Sequence, residues 1–154
     1  MLFKEHNLHL KFMSESSTFE SRVGKLNYSA EEIYYFVTDI RNLKRFIPKD
    51  SISDLMVSHD SCSFRVSRLG DVNIHISKKV LNNKVVFSGN ALRINDFSLI
   101  LDLQDAGIMQ SEFKVTVLAE MNPFLKMVAA EPVKQFLETL VGEMEKFHDW
   151  KNTI

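Results

Sequence analysis

Apolar and polar positions recur with period two over most of this chain, and two stretches break that rhythm with a helical period. Residues 17–26 (STFESRVGKL) alternate: Phe19, Ser21 and Val23 share one side, and Glu20 and Arg22 the other, which predicts a half-buried strand. The period then lengthens. SAEE at 29–32 is a capping box, with Ser29 placed to cap helix amides and Glu32 to reach back. Ile33, Phe36, Val37 and Ile40 follow at i, i+3, i+4 and i+7, the stripe of an amphipathic helix. Asp39 is placed to cap a second short helix through IRNLKRF, and Pro48 lies just past its end.

From 51 to 121 period two returns in short runs. Cys62, Phe64 and Val66 alternate with polar neighbours, as do Val72, Ile74 and Ile76. Phe97, Leu99, Leu101 and Leu103 follow the same rule, and residues 85–87 are a short apolar run. The cleanest strand is MQSEFKVTVLAEM, with Met109, Ser111, Phe113, Val115, Val117 and Ala119 on one face. The turn signals SHDS, RLGD, LNNK, SGN and QDAG separate the runs, so the links are short and the strands form an antiparallel meander.

The last element is long. Asn122 suits an N-cap and Pro123 the first helical position. Leu125, Val128, Ala129, Pro132, Val133, Phe136, Leu137, Leu140, Val141, Met144 and Phe147 form one stripe that needs a cover, and the sheet is the one large apolar face available. An interior proline costs a helix about 3 kcal/mol. The stripe keeps its phase through Pro132, which predicts a bend there, or a short helix over 123–130 and a long one from 132. Gly142, also interior, predicts a close approach to a strand.

A strand, two short helices, a six-strand meander and a long C-terminal helix: this order resembles the helix-grip fold of the START-like (SRPBCC) superfamily, and within it the uncharacterised bacterial members. SAEEIYYFVTDIRNLKRFIP is similar to the opening segment of that superfamily, and MNPFLKMVAAEPVKQFLETLVGEMEKF to its gripping helix. The likeness covers roughly residues 17–150. It implies an α+β domain of about seven strands (β-α-α-β-β-β-β-β-β-α), curled around the helix and enclosing an elongated apolar cavity. Members of the superfamily bind sterols, phospholipids, polyketides, hormones or quinones, some catalyse cyclisation or dehydration, and some assist a chaperone. No motif for catalysis is shared.

Composition narrows the classes. The 154 residues are enough for one domain with a real core, here 17–150, preceded by an N-terminal tail or arm over 1–16. Nineteen Lys and Arg against twenty Asp and Glu, a net charge of −1, lack the basic surface a general nucleic-acid binder needs. No apolar run reaches the ~18–20 residues of an integral membrane segment. Charges interrupt MLFKEHNLHLKFMSES, which therefore does not read as a secretory signal. Cys62 stands alone, so no internal disulfide forms, and the expected location is cytoplasmic.

Candidate chemistry is sparse. Cys62 follows His59 and Asp60 but shares phase with Phe64 and Val66, which makes it a small core residue rather than a nucleophile. His6 and His9 have no partner ligand nearby, so no metal is expected. His75 falls opposite Ile74 and Ile76 and faces solvent. His148 sits in the last turn of the final helix, where a protonated imidazole complements the dipole. Arg41, Lys44, Arg45 and Lys49 read as a solvated helix face, and Asp96, Asp102, Glu112 and Glu120 as the wet side of the sheet. Neither a catalytic residue nor a cofactor is expected.

The apolar residues remain. Phe64, Phe97, Leu99, Ser111, Phe113, Val115, Phe136, Leu140 and Met144 should point between sheet and helix and form a ligand-binding site. Ser21, Cys62 and Ser111 would supply its polar contacts. The first expectation is a carrier of a lipophilic small molecule. The rivals are a cyclase or dehydratase, which needs an acid or base inside the cavity, and a chaperone-assisting module that binds a protein partner through an exposed apolar patch, with Ile100 and Leu118 the residues to inspect.

Overall fold

The computed structural model describes residues 15–46, 50, 52–66, 70–91 and 96–151. His6, His9, Lys49 and all but the last two residues of the 1–16 tail lie outside them. The elements are β1 (Glu15–Glu20), β2 (Gly24–Leu26), α1 (Ala30–Val37), a 3-10 helix (Ile40–Arg45), β3 (Ile52–Val57), β4 (Ser61–Val66), β5 (Gly70–Val80), β6 (Lys84–Ala91), β7 (Phe97–Gly107), β8 (Gln110–Met121) and α2 (Pro123–Lys146). They make an α+β fold: a curved, eight-stranded antiparallel sheet ordered β1-β8-β7-β6-β5-β4-β3, with β2 also on β8, and a long C-terminal helix laid across it.

The first predicted strand is in fact two. Glu20 pairs with Thr116 but Gly24 pairs with Phe113, so three residues (21–23) oppose two on β8. One extra residue in a strand reverses which side faces inward. Ser17 and Phe19 are buried before the bulge, and Gly24 and Leu26 after it. Val23, expected beside Phe19, is therefore 49% exposed. Ser21 closes the bulge: its amide donates to the Val115 carbonyl (2.8 Å) and its hydroxyl accepts from the Val115 amide (2.9 Å). The Phe113 ring lies against Gly24, where any Cβ would fall inside the ring's van der Waals surface.

The helix signals act as read. Ser29 and Glu32 form the capping box, Asp39 caps the 3-10 helix at the Arg41 amide (3.1 Å), and Asn122 caps α2 at the Leu125 amide (2.8 Å). Asp105 of β7 adds an acceptor for the Ala30 amide (2.9 Å), which ties the start of α1 to the sheet. The hydrogen bond that Arg41 gives Asp39 holds that carboxyl below its ordinary range. Ile33, Phe36, Val37 and Ile40 are all buried.

Three readings of α2 change. Of the two readings at Pro132, a bend or a division, the division into two helices does not occur: the helix runs unbroken through it. Val128, whose carbonyl loses its partner, lies on the exposed side, where water can satisfy it. Gly142 meets nothing within 4 Å of a built Cβ, so no strand approaches it and nothing in the structure explains the glycine. Residue 148 lies beyond the helix rather than in its last turn; its carbonyl accepts from the Tyr28 hydroxyl at 2.8 Å.

Both flanks of α2 are fastened. Arg22 of the bulge meets Glu145 (2.6 Å) and Glu138 (3.4 Å), and Glu145 also accepts from the Lys25 amide (3.1 Å). Past the C-terminal end, Phe36, Phe46, Phe147 and Trp150 form an aromatic cluster with ring centroids 5.1–5.8 Å apart. Trp150 is 1% exposed, and its indole N–H donates to the Phe147 carbonyl at 3.0 Å. Arg45 stacks over Phe147, its guanidinium carbon 5.7 Å from the ring centroid.

Candidate functional site

In the sheet, α2 packs on β1, β2 and β8. The inward faces of β4 to β7 therefore look across a gap instead of onto the helix. Their side chains are spaced by the pleat, every second residue turning in. The result is a cavity of about 560 Å³. That is within the ~300–1,000 Å³ of small-molecule sites.

The sheet contributes Phe64, Val72, Ile74, Phe87, Leu99, Leu101, Val115 and Val117, together with Ile52, Val66, Ala91, Phe97, Ala119 and Met121. Val37, Leu43 and Phe46 close one wall, and Pro132, Val133, Phe136, Leu140 and Met144 of α2 another. The polar side chains in the lining are Asp50, Gln135 and Thr139, all exposed, so they stand at the mouth. Among the described residues the deep lining offers no hydrogen-bonding side chain. Such a space disfavours water and suits an apolar guest.

The structure brings seven of the nine expected residues to this cavity: Phe64, Phe97, Leu99, Val115, Phe136, Leu140 and Met144. Phe113 and Ser111 are elsewhere. The bulge sets Gly24 opposite Phe113, whose ring spends itself on packing there, while Ser111 is paired with Leu26 further along β8. The Ser111 hydroxyl is buried without a partner among the described residues. None of the three expected polar contacts lines the cavity: Ser21 is committed to the Val115 backbone, and Cys62 is buried outside the lining. Burial pushes the Cys62 thiol up, away from a reactive thiolate.

Residues missed in the sequence carried the same signals as those found. Val72 and Ile74 share the inward phase of β5. Pro132 begins the i, i+4 row that continues through Phe136, Leu140 and Met144. Gln135 and Thr139 sit beside that row, and their polarity hid them.

Outside the cavity, His75 and the carboxylates are on the wet face as expected. Lys84 meets Asp102 (3.4 Å) and Lys114 meets Glu20 (3.3 Å) across neighbouring strands. A second hollow of about 610 Å³ crosses this outer face, bordered by Ser61, Asn73, His75, Ser88, Asn90, Asp96, Ser98 and Glu120; it is a broad polar trough, not an enclosure. Ile100 and Leu118 are half-buried there rather than exposed. Among the described residues no group of three His, Cys, Asp or Glu could hold a metal ion, and no helix is long and apolar enough to cross a membrane.

A curved antiparallel sheet gripping a C-terminal helix over an apolar hollow defines a helix-grip protein. Solved structures agree. Norcoclaurine synthase from Thalictrum flavum superposes with a TM-score of 0.69 at 8% identity, covering 90% of this chain and 90% of that one. The protein XoxI from Bacillus cereus gives 0.64 at 9% identity, over 85% and 93%. Mll3558 from Rhizobium loti gives 0.61 at 15% identity, over 84% and 98%. At such identities the likeness establishes the fold alone. No family model matches the chain. No curated protein matches it either.

Proposed function

We propose that this protein binds and carries a lipophilic small molecule in the cavity between the sheet and α2, with Phe64, Phe97, Leu99, Val115, Phe136, Leu140 and Met144 among the contacts. The observation that carries this reading is the lining itself: apolar throughout its depth, with Asp50, Gln135 and Thr139 at the opening. A guest with a hydrocarbon body and one polar end matches that distribution. Superposition on small bacterial proteins of the same fold supports a place among START-like proteins of that kind, and a single buried cysteine is in keeping with a cytoplasmic carrier.

Norcoclaurine synthase shows that the fold also hosts synthase chemistry. Catalysis of that type needs an acid or base against the substrate. Here the lining supplies one ionisable group among the described residues, Asp50 at the mouth, which favours carriage over turnover.

Native mass spectrometry of the purified protein tests the reading. The expected result is a stoichiometric small molecule on the wild type and a lowered occupancy of it in Leu99→Trp, whose indole intrudes on the cavity while circular dichroism stays unchanged. A guest retained in full by Leu99→Trp would place it elsewhere.

A further inference from the structure

The first two turns of α2 expose three apolar side chains. Phe124 is 71% exposed, Met127 72% and Val128 45%. They are spaced i, i+3 and i+4, so they form one patch on the solvent side of the helix. The same helix buries Ala129, Val133 and Leu137 against the sheet, so the exposed patch is a second apolar face, and Val128, expected in the buried stripe, belongs to it instead. One turn on from Val128 stands Pro132, the first α2 residue in the cavity lining, followed by Gln135 and Phe136. The patch is therefore continuous with the mouth. Across the mouth, Ile52 of edge strand β3 lines the cavity, and Leu55 and Met56 of that strand are also exposed, Met56 at 71%.

We propose that this patch is a lipid-docking surface, which seats the cavity mouth on a bilayer so that the guest passes between membrane and protein. The proposal rests on the carrier reading and names the partner of that site. Two features favour a bilayer. Three side chains fall well short of the roughly 800 Å² per partner of a stable protein interface, whereas a few apolar side chains suffice for shallow, reversible insertion. Over residues 122–135 the charges are Lys126, Glu131 and Lys134, an excess of one positive charge beside the patch. An anionic lipid surface attracts such a segment.

Flotation with phosphatidylcholine vesicles, with and without phosphatidylserine, tests this on the full chain. The wild type should float, several-fold more with phosphatidylserine. Phe124→Ser/Met127→Ser should lose at least tenfold in vesicle affinity while keeping its fold and its uptake of a fluorescent fatty-chain probe in solution. Leu99→Trp should float as the wild type does while taking up the probe more weakly, which separates failure of docking from failure of carriage. A wild type that stays with the soluble fraction, or a double variant that floats equally well, would overturn the proposal. So would a concentration-dependent dimer that the double variant abolishes, since the patch would then serve a second copy of the chain.

Discussion

Phe113 and Phe136 provide a direct test of where packed interior ends and open cavity begins. Both point between sheet and α2, but Phe113 is 2% exposed and its ring lies against Gly24, whereas Phe136 is half-buried and lines the cavity. Truncating a fully packed phenylalanine costs about 3–5 kcal/mol, the lost transfer energy plus the void left behind. A ring with one face on open space has already forfeited part of its contacts, so Phe136→Ala should cost roughly 1–2 kcal/mol. Urea unfolding reads the difference. With m near ~2 kcal/mol/M, Phe113→Ala should lower the midpoint by roughly 2 M and Phe136→Ala by less than about 1 M. The glycine supplies a control. Gly24→Ala drives a Cβ into the Phe113 ring, so it should be costly in the wild type and cheap once Phe113 is alanine, a coupling of about 1–3 kcal/mol. Equal losses for the two phenylalanines, or a Gly24→Ala cost that ignores residue 113, would refute this division of the interior.

Two further predictions follow from α2. Gly142→Ala places its methyl in open space within a helix and should stabilise the fold by about 0.5–1 kcal/mol in urea titration; destabilisation would contradict the geometry. The hydrogen bond from Arg22, with a second from the Lys25 amide, holds the Glu145 carboxyl below its ordinary 4.5. Its contribution is complete above the unfolded-state value and fades as pH falls through the folded one. Glu145→Gln should therefore cost about 0.5–1 kcal/mol near neutral pH, a modest figure because solvent screens Arg22, and the gap from wild type should close progressively below pH 4.5. A gap that persists at low pH would assign the effect to packing.

The order of elements, the caps and the inward phase of the meander were legible because each is local: Ser29 with Glu32, Asn122 with Leu125, and alternation along β8 are set within a few residues. The bulge at 21–23 was not, since an extra residue shows only against its partner strand; the break reversed the phase of Val23 and set Gly24 against Phe113. Trp150 and Phe46 were also overlooked, as their value comes from meeting Phe36 and Phe147 across more than a hundred residues of chain. Alternation names the inward face of every strand, but which inward residues touch helix and which face open space depends on where α2 comes to rest. That position is fixed by Arg22, Glu145 and the aromatic cluster, contacts no periodicity reveals.

Titration of the protein with a single-chain fluorescent lipid probe tests the central claim most directly. An open apolar cavity predicts saturable uptake at one probe per chain, with blue-shifted emission and weakened uptake in Leu99→Trp. A linear, unsaturable response identical in the two proteins would mean that no guest enters between the sheet and α2.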